Sequence, residues 1–480
     1  MHANAPLWLV RARPRECSTF RGSPVATDPL FDTDEAREEL LAKAPFWKTR
    51  AWWTRAGRTA IAVYLATALA FLGTVVVARG LGPHEFGTVV LAVAVVTLVA
   101  TVLDLTLEEA LVHHGYRALA EDDIGGLLGL LRASLALDVA IGLVIAAGII
   151  VFAAPLADLA SAGQLDPGLV RLAALTLAVS PAAATMGAVL QLAGRPDLRG
   201  WAMAGTNLAR LAGVAVAVQI GTAEAVILAY AVGNALGALG QRTIAWRIVR
   251  RRWRMPAGSR ALRVPVRELV RFGFHTSITT SIAGASGSLI PLLLGRLSGP
   301  TAVGLFRVGL FPVFVADNAS GPIRLALYPE QARLSAKGDL AQIRHAIRVH
   351  TLAALALSLP VAVAGWFALP WLLPLLYSDQ FDDAVLPARI VLIAAVARFS
   401  GAWFKTLPAA LGRPQLRTAL ALFELALMIA LMILLGGQGS KGAAIAFAAT
   451  SVASRVAAVI GARVVLRRAE TAAGATTSTL

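Results

Sequence analysis

The sequence predicts an all-α polytopic membrane protein with about 12 transmembrane helices. Apolar residues make up 57% of the 480 residues and charged residues only 15%, whereas a soluble chain carries about a quarter charged residues. From residue 59 onward the apolar residues form runs of roughly 20, the length that crosses a ~30 Å hydrocarbon core as a helix. Helices satisfy their own backbone hydrogen bonds in lipid, and the alternating pattern of barrel strands is not present in the sequence.

The apolar runs are separated by short polar gaps, which sets the expected bounds of the spans. They are 59–78, 86–112, 127–153, 169–190, 201–220, 223–245, 271–294, 302–328, 350–376, 385–410, 418–435 and 442–466. We call these spans 1 to 12.

Basic residues alternate between the gaps and predict the orientation. If the N-terminal tail is cytoplasmic, the inner gaps hold most of the arginines, including a run from Arg242 to Arg271, while the outer gaps hold only Arg79, Arg296 and Lys441. This bias follows the positive-inside rule. We therefore expect a multi-pass protein of the bacterial inner membrane with both termini in the cytoplasm.

Two motifs occur twice at nearly one offset. Arg-x-x-Gly-Pro-x-x-x-Gly begins at Arg79 and again at Arg296, and Gly-Arg-Pro-x-Leu-Arg begins at Gly194 and again at Gly412. Gly-Pro between spans is typical of a tight helical hairpin turn. Because six spans separate the copies, we expect two six-helix halves in the same orientation, related by a pseudo-two-fold axis along the membrane normal.

The repeat divides the chain into expected segments. They are a partly disordered cytoplasmic tail at 1–58, an N-terminal six-helix bundle at 59–245, a basic cytoplasmic linker at 246–270, a C-terminal six-helix bundle at 271–466 and a cytoplasmic tail at 467–480.

The first motif carries a family resemblance. The segment from Arg79 to Gly87, followed by an apolar span ending in Asp104-Leu-Thr-Leu-Glu108, resembles the opening of bacterial polysaccharide and oligosaccharide flippases. These belong to the multidrug/oligosaccharidyl-lipid/polysaccharide exporter superfamily. The resemblance implies a flippase that moves undecaprenyl-diphosphate-linked oligosaccharide across the membrane by alternating access, for polysaccharide export. It also implies membrane lipids and other polysaccharide assembly proteins as partners.

Several cationic residues lie inside predicted spans, where a charge at the centre costs roughly 2.5–3.5 kcal/mol. We expect them to face the interior, where arginine matches the phosphate oxygens of a diphosphate. The predicted substrate-binding residues are Arg398, Arg307, Arg210, Arg132, Lys405 and Asn207, with Arg455 as a further embedded charge. Snorkelling of Arg455 and Lys405, and an ion pair of Arg132 with Asp138, remain alternatives.

Four carboxylates are candidates for coupling a proton or sodium ion to transport, because an embedded acid that changes protonation can do so. They are Asp104, Glu108, Asp317 and Glu424. Salt bridges with the embedded arginines are the alternative.

The sequence lacks the usual signatures of catalysis and cofactor binding. No zinc-protease, phosphate-loop or Cys-x-x-Cys motif occurs, and Cys17 is the only cysteine. We therefore predict no enzyme activity, no cofactor, no metal and no nucleic-acid partner. The alternatives are a multidrug-extrusion transporter, which a cationic interior disfavours, and a membrane glycan polymerase or ligase, which the short outer gaps disfavour.

Overall fold

The computed structural model describes residues 50–103, 107–179, 182–253, 266–336, 339–411 and 413–477. The chain divides into residues 1–57 and one compact unit, residues 58–480, and the fold given below is that of the second unit. The predicted tail up to residue 49 and residues 254–265 of the predicted linker lie outside the described residues.

The described part of the compact unit is a bundle of helices. They are α1 (Arg50–Leu103), α2 (Leu107–Ala120), α3 (Ile124–Val151), α4 (Ala153–Ser161), α5 (Pro167–Ala178), α6 (Ala183–Leu192), α7 (Pro196–Ala217), α8 (Ala223–Arg252), α9 (Val266–Gly309), α10 (Phe311–Ala336), α11 (Leu340–Tyr377), α12 (Val385–Ser400), α13 (Leu407–Ala410), α14 (Pro414–Leu435) and α15 (Gly439–Thr477). Short 3-10 turns lie at Asp379–Ala384, Ala402–Lys405 and Gly436–Gln438.

These helices agree with the predicted spans. Within the described residues, seven stretches are long and apolar enough to cross a membrane, and two of them, Ala56–Leu103 and Gln415–Val465, each contain two predicted spans. Predicted spans 5, 8 and 10 correspond to α7, α10 and α12, which are not among the seven. These three helices carry Arg210, Asp317 and Arg398.

Four predicted spans are each divided between successive elements. Span 2 is divided between α1 and α2, and span 8 between α9 and α10. Span 4 consists of α5, which ends at Ala178, and α6, which begins at Ala183. Span 10 is interrupted after Ser400 by Gly401 and the 3-10 turn Ala402–Lys405. Pro408, which cannot donate a backbone hydrogen bond, then lies inside the short α13.

The first repeated motif has the same backbone conformation in both copies. Gly82 has φ 76° and ψ 176°, and Gly299 has φ 77° and ψ 177°. Residues with a side chain rarely adopt this conformation, and proline at the next position begins the following helix. The predicted hairpin turns at these positions are therefore confirmed, and α1 and α9 each consist of two helices joined at the glycine.

The arginine of each copy connects the two halves. The Nη1 group of Arg79 donates to the carbonyl oxygen of Leu375 at 2.9 Å, and that of Arg296 donates to the carbonyl oxygen of Asp158 at 3.3 Å. Leu375 and Asp158 are themselves one repeat offset, 217 residues, apart. The two bonds are thus related by the same pseudo-symmetry as the sequence motifs.

The last glycine of each copy lets the halves approach at backbone distance. A Cβ atom on Gly87 would collide with the carbonyl oxygen of Pro300, and one on Gly304 would collide with that of Pro83. The side chains of His84 and Thr301 meet in the same contact at 3.2 Å. We call this end of the bundle, which carries the turns at Gly82, Gly163, Gly221, Gly299, Ser378 and Gly439, the hairpin end. It is closed by direct packing of the two halves.

The second repeated motif begins a helix at the opposite end. Arg195 and Arg413 precede Pro196 and Pro414, the first residues of α7 and α14, with nearly equal backbone angles. Arg195 also holds Asp197 at 3.0 Å. Partial burial by itself raises the pKa of the Asp197 carboxyl, but the hydrogen bonds and charge of Arg195 outweigh it and leave that pKa lowered.

Candidate functional site

Five charged side chains of the C-terminal half form a chain of alternating sign inside the bundle. Arg398 of α12 donates to Asp317 of α10 through Nε at 3.2 Å and Nη2 at 2.7 Å, and its Nη1 lies 3.7 Å from Glu424 of α14. Lys405 lies 3.9 Å from Asp317, and Arg455 of α15 lies 3.9 Å from Glu424. We call this set the charge chain: Lys405, Asp317, Arg398, Glu424 and Arg455.

The break in predicted span 10 positions the charge chain. Arg398 is in the last turn of α12, where a cation is favoured by the carbonyl end of the helix dipole. Gly401 follows, and a Cβ atom there would lie 2.6 Å from Cδ of Arg455, so glycine leaves room for that side chain to cross the end of α12. Lys405 lies on the 3-10 turn that interrupts predicted span 10, and its amine lies 3.9 Å from Asp317.

Positive charge exceeds negative charge in this region. Besides the three cations of the charge chain, Arg324 of α10 bonds to Ser320 and interacts electrostatically with Asp317 and Lys405. Among the residues whose side chains the structure describes, four cations therefore face two carboxylates, a surplus of two positive charges. A net positive charge of this size would be costly against lipid, so the open faces of the cluster must meet water or an anionic group.

The cations at the two ends of the charge chain have the fewest partners. Lys405 has one carboxylate, at 3.9 Å, and 42% of its side chain is exposed. The side chain of Arg455 is 11% exposed, and its Nε has no hydrogen-bond partner among the described residues. Arg398, by contrast, lies between two carboxylates. Lys405, Arg324 and Arg455 are therefore better placed than Arg398 to bind an added anion.

A second cationic group lies nearer the hairpin end and joins the two halves. The guanidinium of Arg210 in α7 lies 4.2 Å from the ring centroid of Tyr230 in α8. Arg307 of α9 interacts electrostatically with Tyr230 and with Tyr377, the last residue of α11. The side chain of Arg307 is exposed. The structure thus brings Arg210 and Arg307, one from each half, to the same tyrosine.

The structure places three other predicted site residues away from the charge chain. Asn207 donates its amide to the carbonyl oxygen of Ala66 in α1 at 2.9 Å. Glu108 accepts hydrogen bonds from Arg199 and Gln191, at the end of the bundle away from the hairpin end. Arg132 is exposed on α3, while Asp138, its predicted partner, accepts from the backbone and hydroxyl groups of Thr185. Asp104 lies outside the described residues.

Arg324 and Arg389 are embedded cations that were not among the predicted site residues. Arg324 lies in predicted span 8 and Arg389 in predicted span 10. Both meet the criterion that selected Arg307 and Arg398, a cation inside an apolar span, so the same signal was available for them.

The fold is that of a multi-pass membrane protein with a charged interior. Residues 54–335 match the family model described as "Polysaccharide biosynthesis protein". The match covers more than half of the chain, so the chain belongs to this family. None of the curated proteins compared with the chain matches it significantly.

Solved structures share the fold at low sequence identity. A multidrug resistance MATE family transporter of the MOP superfamily, in an inward-facing conformation, has 15% identity and a TM-score of 0.65 over 84% of this chain and 96% of that chain. The lipid II flippase MurJ, in an inward closed conformation, has 12% identity and a TM-score of 0.68 over 84% and 87%. A MOP superfamily transporter from Pyrococcus furiosus has 15% identity and a TM-score of 0.60 over 87% of this chain and 96% of that chain. The predicted fold class, two six-helix halves with about 12 spans, is confirmed.

Proposed function

We propose that this protein is a flippase that moves undecaprenyl-diphosphate-linked oligosaccharide across the bacterial inner membrane by alternating access. The observation that carries the proposal is the surplus of positive charge around Asp317 and Glu424, inside a transporter fold of the polysaccharide biosynthesis family. A diphosphate supplies the missing negative charge, and guanidinium groups match its oxygens.

The charge chain offers a way to bind the diphosphate reversibly. In the empty protein, Asp317 and Glu424 hold the cations in place. An entering diphosphate competes with these carboxylates for Lys405, Arg324 and Arg455, which have spare donors. Its release restores the internal ion pairs. The internal carboxylates therefore limit how tightly substrate binds, which a transporter needs in order to let it go.

The closed hairpin end supports alternating access with a defined sidedness. In the orientation that the positive-inside bias predicts, that end lies on the outer side of the membrane and both termini lie in the cytoplasm. The Arg79 and Arg296 bonds then close the outer side, so that substrate enters from the cytoplasmic side. Opening to the outside requires both bonds and the Gly87–Gly304 contact to separate.

Asp317 and Glu424 are the best-placed of the predicted ion-coupling residues. Each contacts two cations of the charge chain, so protonation of either one would release cations for the substrate. Glu108 is held by Arg199, away from this cluster. For Asp104, coupling stays a prediction.

The likeness in fold to a multidrug resistance transporter favours a second candidate, a drug exporter. The cationic interior disfavours it for cationic drugs, because like charges repel in a low-dielectric site.

Cells that lack the protein provide the test. We expect lipid-linked oligosaccharide to accumulate on the cytoplasmic leaflet and surface polysaccharide to fall, and both to be restored by the wild-type protein. Normal surface polysaccharide with altered sensitivity to cationic drugs would overturn the proposal in favour of the drug exporter.

A further inference from the structure

An apolar groove lies on the outer surface of the C-terminal half, between α11, α12 and α15. It has a volume of about 590 Å³, and its walls include Leu359, Val363, Phe367, Ile393 and Val452. Each of these five side chains is exposed. Large exposed apolar side chains on a membrane bundle face lipid, so the groove opens to the hydrocarbon and not to the charged interior.

One end of the groove carries a cation. Arg389 donates through Nε to the carbonyl oxygen of Trp366 at 3.0 Å, and its guanidinium lies 5.0 Å from the centroid of the Trp366 ring. These contacts fix the guanidinium at the groove. Among the described residues Arg389 has no carboxylate within ion-pair distance, unlike Arg398, Lys405 and Arg455.

The position of Arg389 suits a lipid phosphate. It is near the start of α12, on the side of the hairpin end, and Trp366 and Trp371 lie at the same end of α11 as an interfacial tryptophan belt does. A guanidinium at that depth can meet the phosphate of a lipid, and the Nη groups that Trp366 leaves available can donate to its oxygens.

The length of the groove indicates which lipid it fits. From Leu355 to Phe367 it follows α11 for about 18 Å at 1.5 Å per residue. One leaflet of the hydrocarbon core is about 15 Å deep. The groove therefore fits one acyl chain of one leaflet, whereas an undecaprenyl chain is much longer than one leaflet is deep.

We propose that this groove binds an anionic phospholipid of the leaflet at the hairpin end, with its phosphate on Arg389 and one acyl chain between α11, α12 and α15. This partner is separate from the transported substrate. Its site lies on the outer side of α12, the helix that also carries Arg398, so an occupied groove supports the wall of the charge chain.

Native mass spectrometry of the full-length purified protein tests the proposal. The protein is mixed with phosphatidylglycerol or phosphatidylcholine of equal chain length, and bound lipid is counted. We expect wild type to retain phosphatidylglycerol about tenfold better, the size of a charge-assisted hydrogen bond. Arg389→Ala should abolish that preference, Arg389→Lys should keep part of it, and Ile393→Trp, which fills the groove, should reduce retention of both lipids.

The repeat supplies a matched control. Arg171 and Arg389 are each the fifth residue of their helices and differ by the repeat offset of 218, but Gly148 stands in the N-terminal half where Trp366 stands in the other. Arg171→Ala should leave the preference unchanged. Equal loss in both alanine variants, or no loss in Arg389→Ala, would overturn the proposal. Displacement of phosphatidylglycerol by undecaprenyl phosphate at Arg389 would also overturn it. That result would show that the groove binds the lipid chain of the substrate.

Discussion

Replacing Arg398 by alanine should remove most of the folded protein from the membrane. Arg398 is the shared partner of Asp317 and Glu424, so its loss leaves two embedded carboxylates with only weak contacts to Lys405 and Arg455. Removing one partner of a buried ion pair costs about 3–5 kcal/mol, and because these carboxylates are about one-third exposed we expect about 2–3 kcal/mol. Membrane abundance and monodispersity of the variant are the measurements.

Neutral partners should reverse this loss. Combining Arg398→Ala with Asp317→Asn and Glu424→Gln removes the stranded charges, and abundance should recover. Arg398→Lys should keep near-normal abundance, because a point charge still reaches at least one carboxylate. An Arg398→Ala protein that is abundant but does not export glycan would contradict this explanation and assign Arg398 directly to the substrate. An abundant and fully active variant would contradict both roles.

Replacing Lys405 and Arg324 together by alanine should have the opposite pattern, normal abundance and lost export. Asp317 keeps its two bonds from Arg398 in this variant, so no carboxylate is stranded. Substrate binding is weakened instead, because the substrate loses two cationic hydrogen-bond donors. A charge-assisted hydrogen bond contributes about 1.5–3 kcal/mol, so we expect export to fall at least about tenfold for each.

The exposed pair of Arg333 and Glu330 provides the control for that variant. Arg333 lies on the same helix as Arg324, but half of its side chain is exposed and it pairs locally with Glu330. An exposed pair contributes little to stability. Arg333→Ala should therefore retain both abundance and export. If Arg333→Ala loses export as strongly as the double variant, the loss of export results from the lower total positive charge of the protein and not from the charge chain.

Much of the fold could be predicted from the sequence because membrane spans and turns are local features. The Gly-Pro motif near Gly82 and Gly299 predicts a turn, and the turn is there in both halves. The hydrogen bonds that the motif makes to the other half are not a local feature. The bonds from Arg79 and Arg296 go to carbonyl oxygens nearly 300 and 140 residues away in sequence, and no single motif encodes that partner.

The candidate site was predicted in composition but not in arrangement. An embedded arginine is visible in the sequence as a costly charge, which is how Arg398, Arg307 and Arg210 were selected. Its partner depends on how distant helices pack: Arg398 meets Asp317 across 81 residues. The break at Gly401 was also missed, since apolar residues continue through it, and that break places Lys405 on a 3-10 turn.

Asn207 is a second residue whose contacts could not be predicted from the sequence. Asn207 lies one helical turn before Arg210, and the sequence predicts both as substrate-binding residues. Its amide is instead used by the backbone of α1, because the carbonyl of Ala66 lies within reach once α1 and α7 pack. A polar residue inside a span can serve helix association as well as a substrate, and only the packed structure distinguishes the two.

The most direct measurement is translocation by the purified protein in proteoliposomes loaded with undecaprenyl-diphosphate-linked oligosaccharide. A membrane-impermeant glycan-binding probe reports how much glycan reaches the external leaflet over time. We expect wild type to expose internal glycan faster than empty liposomes, and the Lys405→Ala, Arg324→Ala protein, reconstituted at equal amount, to match the empty liposomes. Wild-type protein that moves a cationic drug but leaves the glycan lipid in place would contradict the assignment.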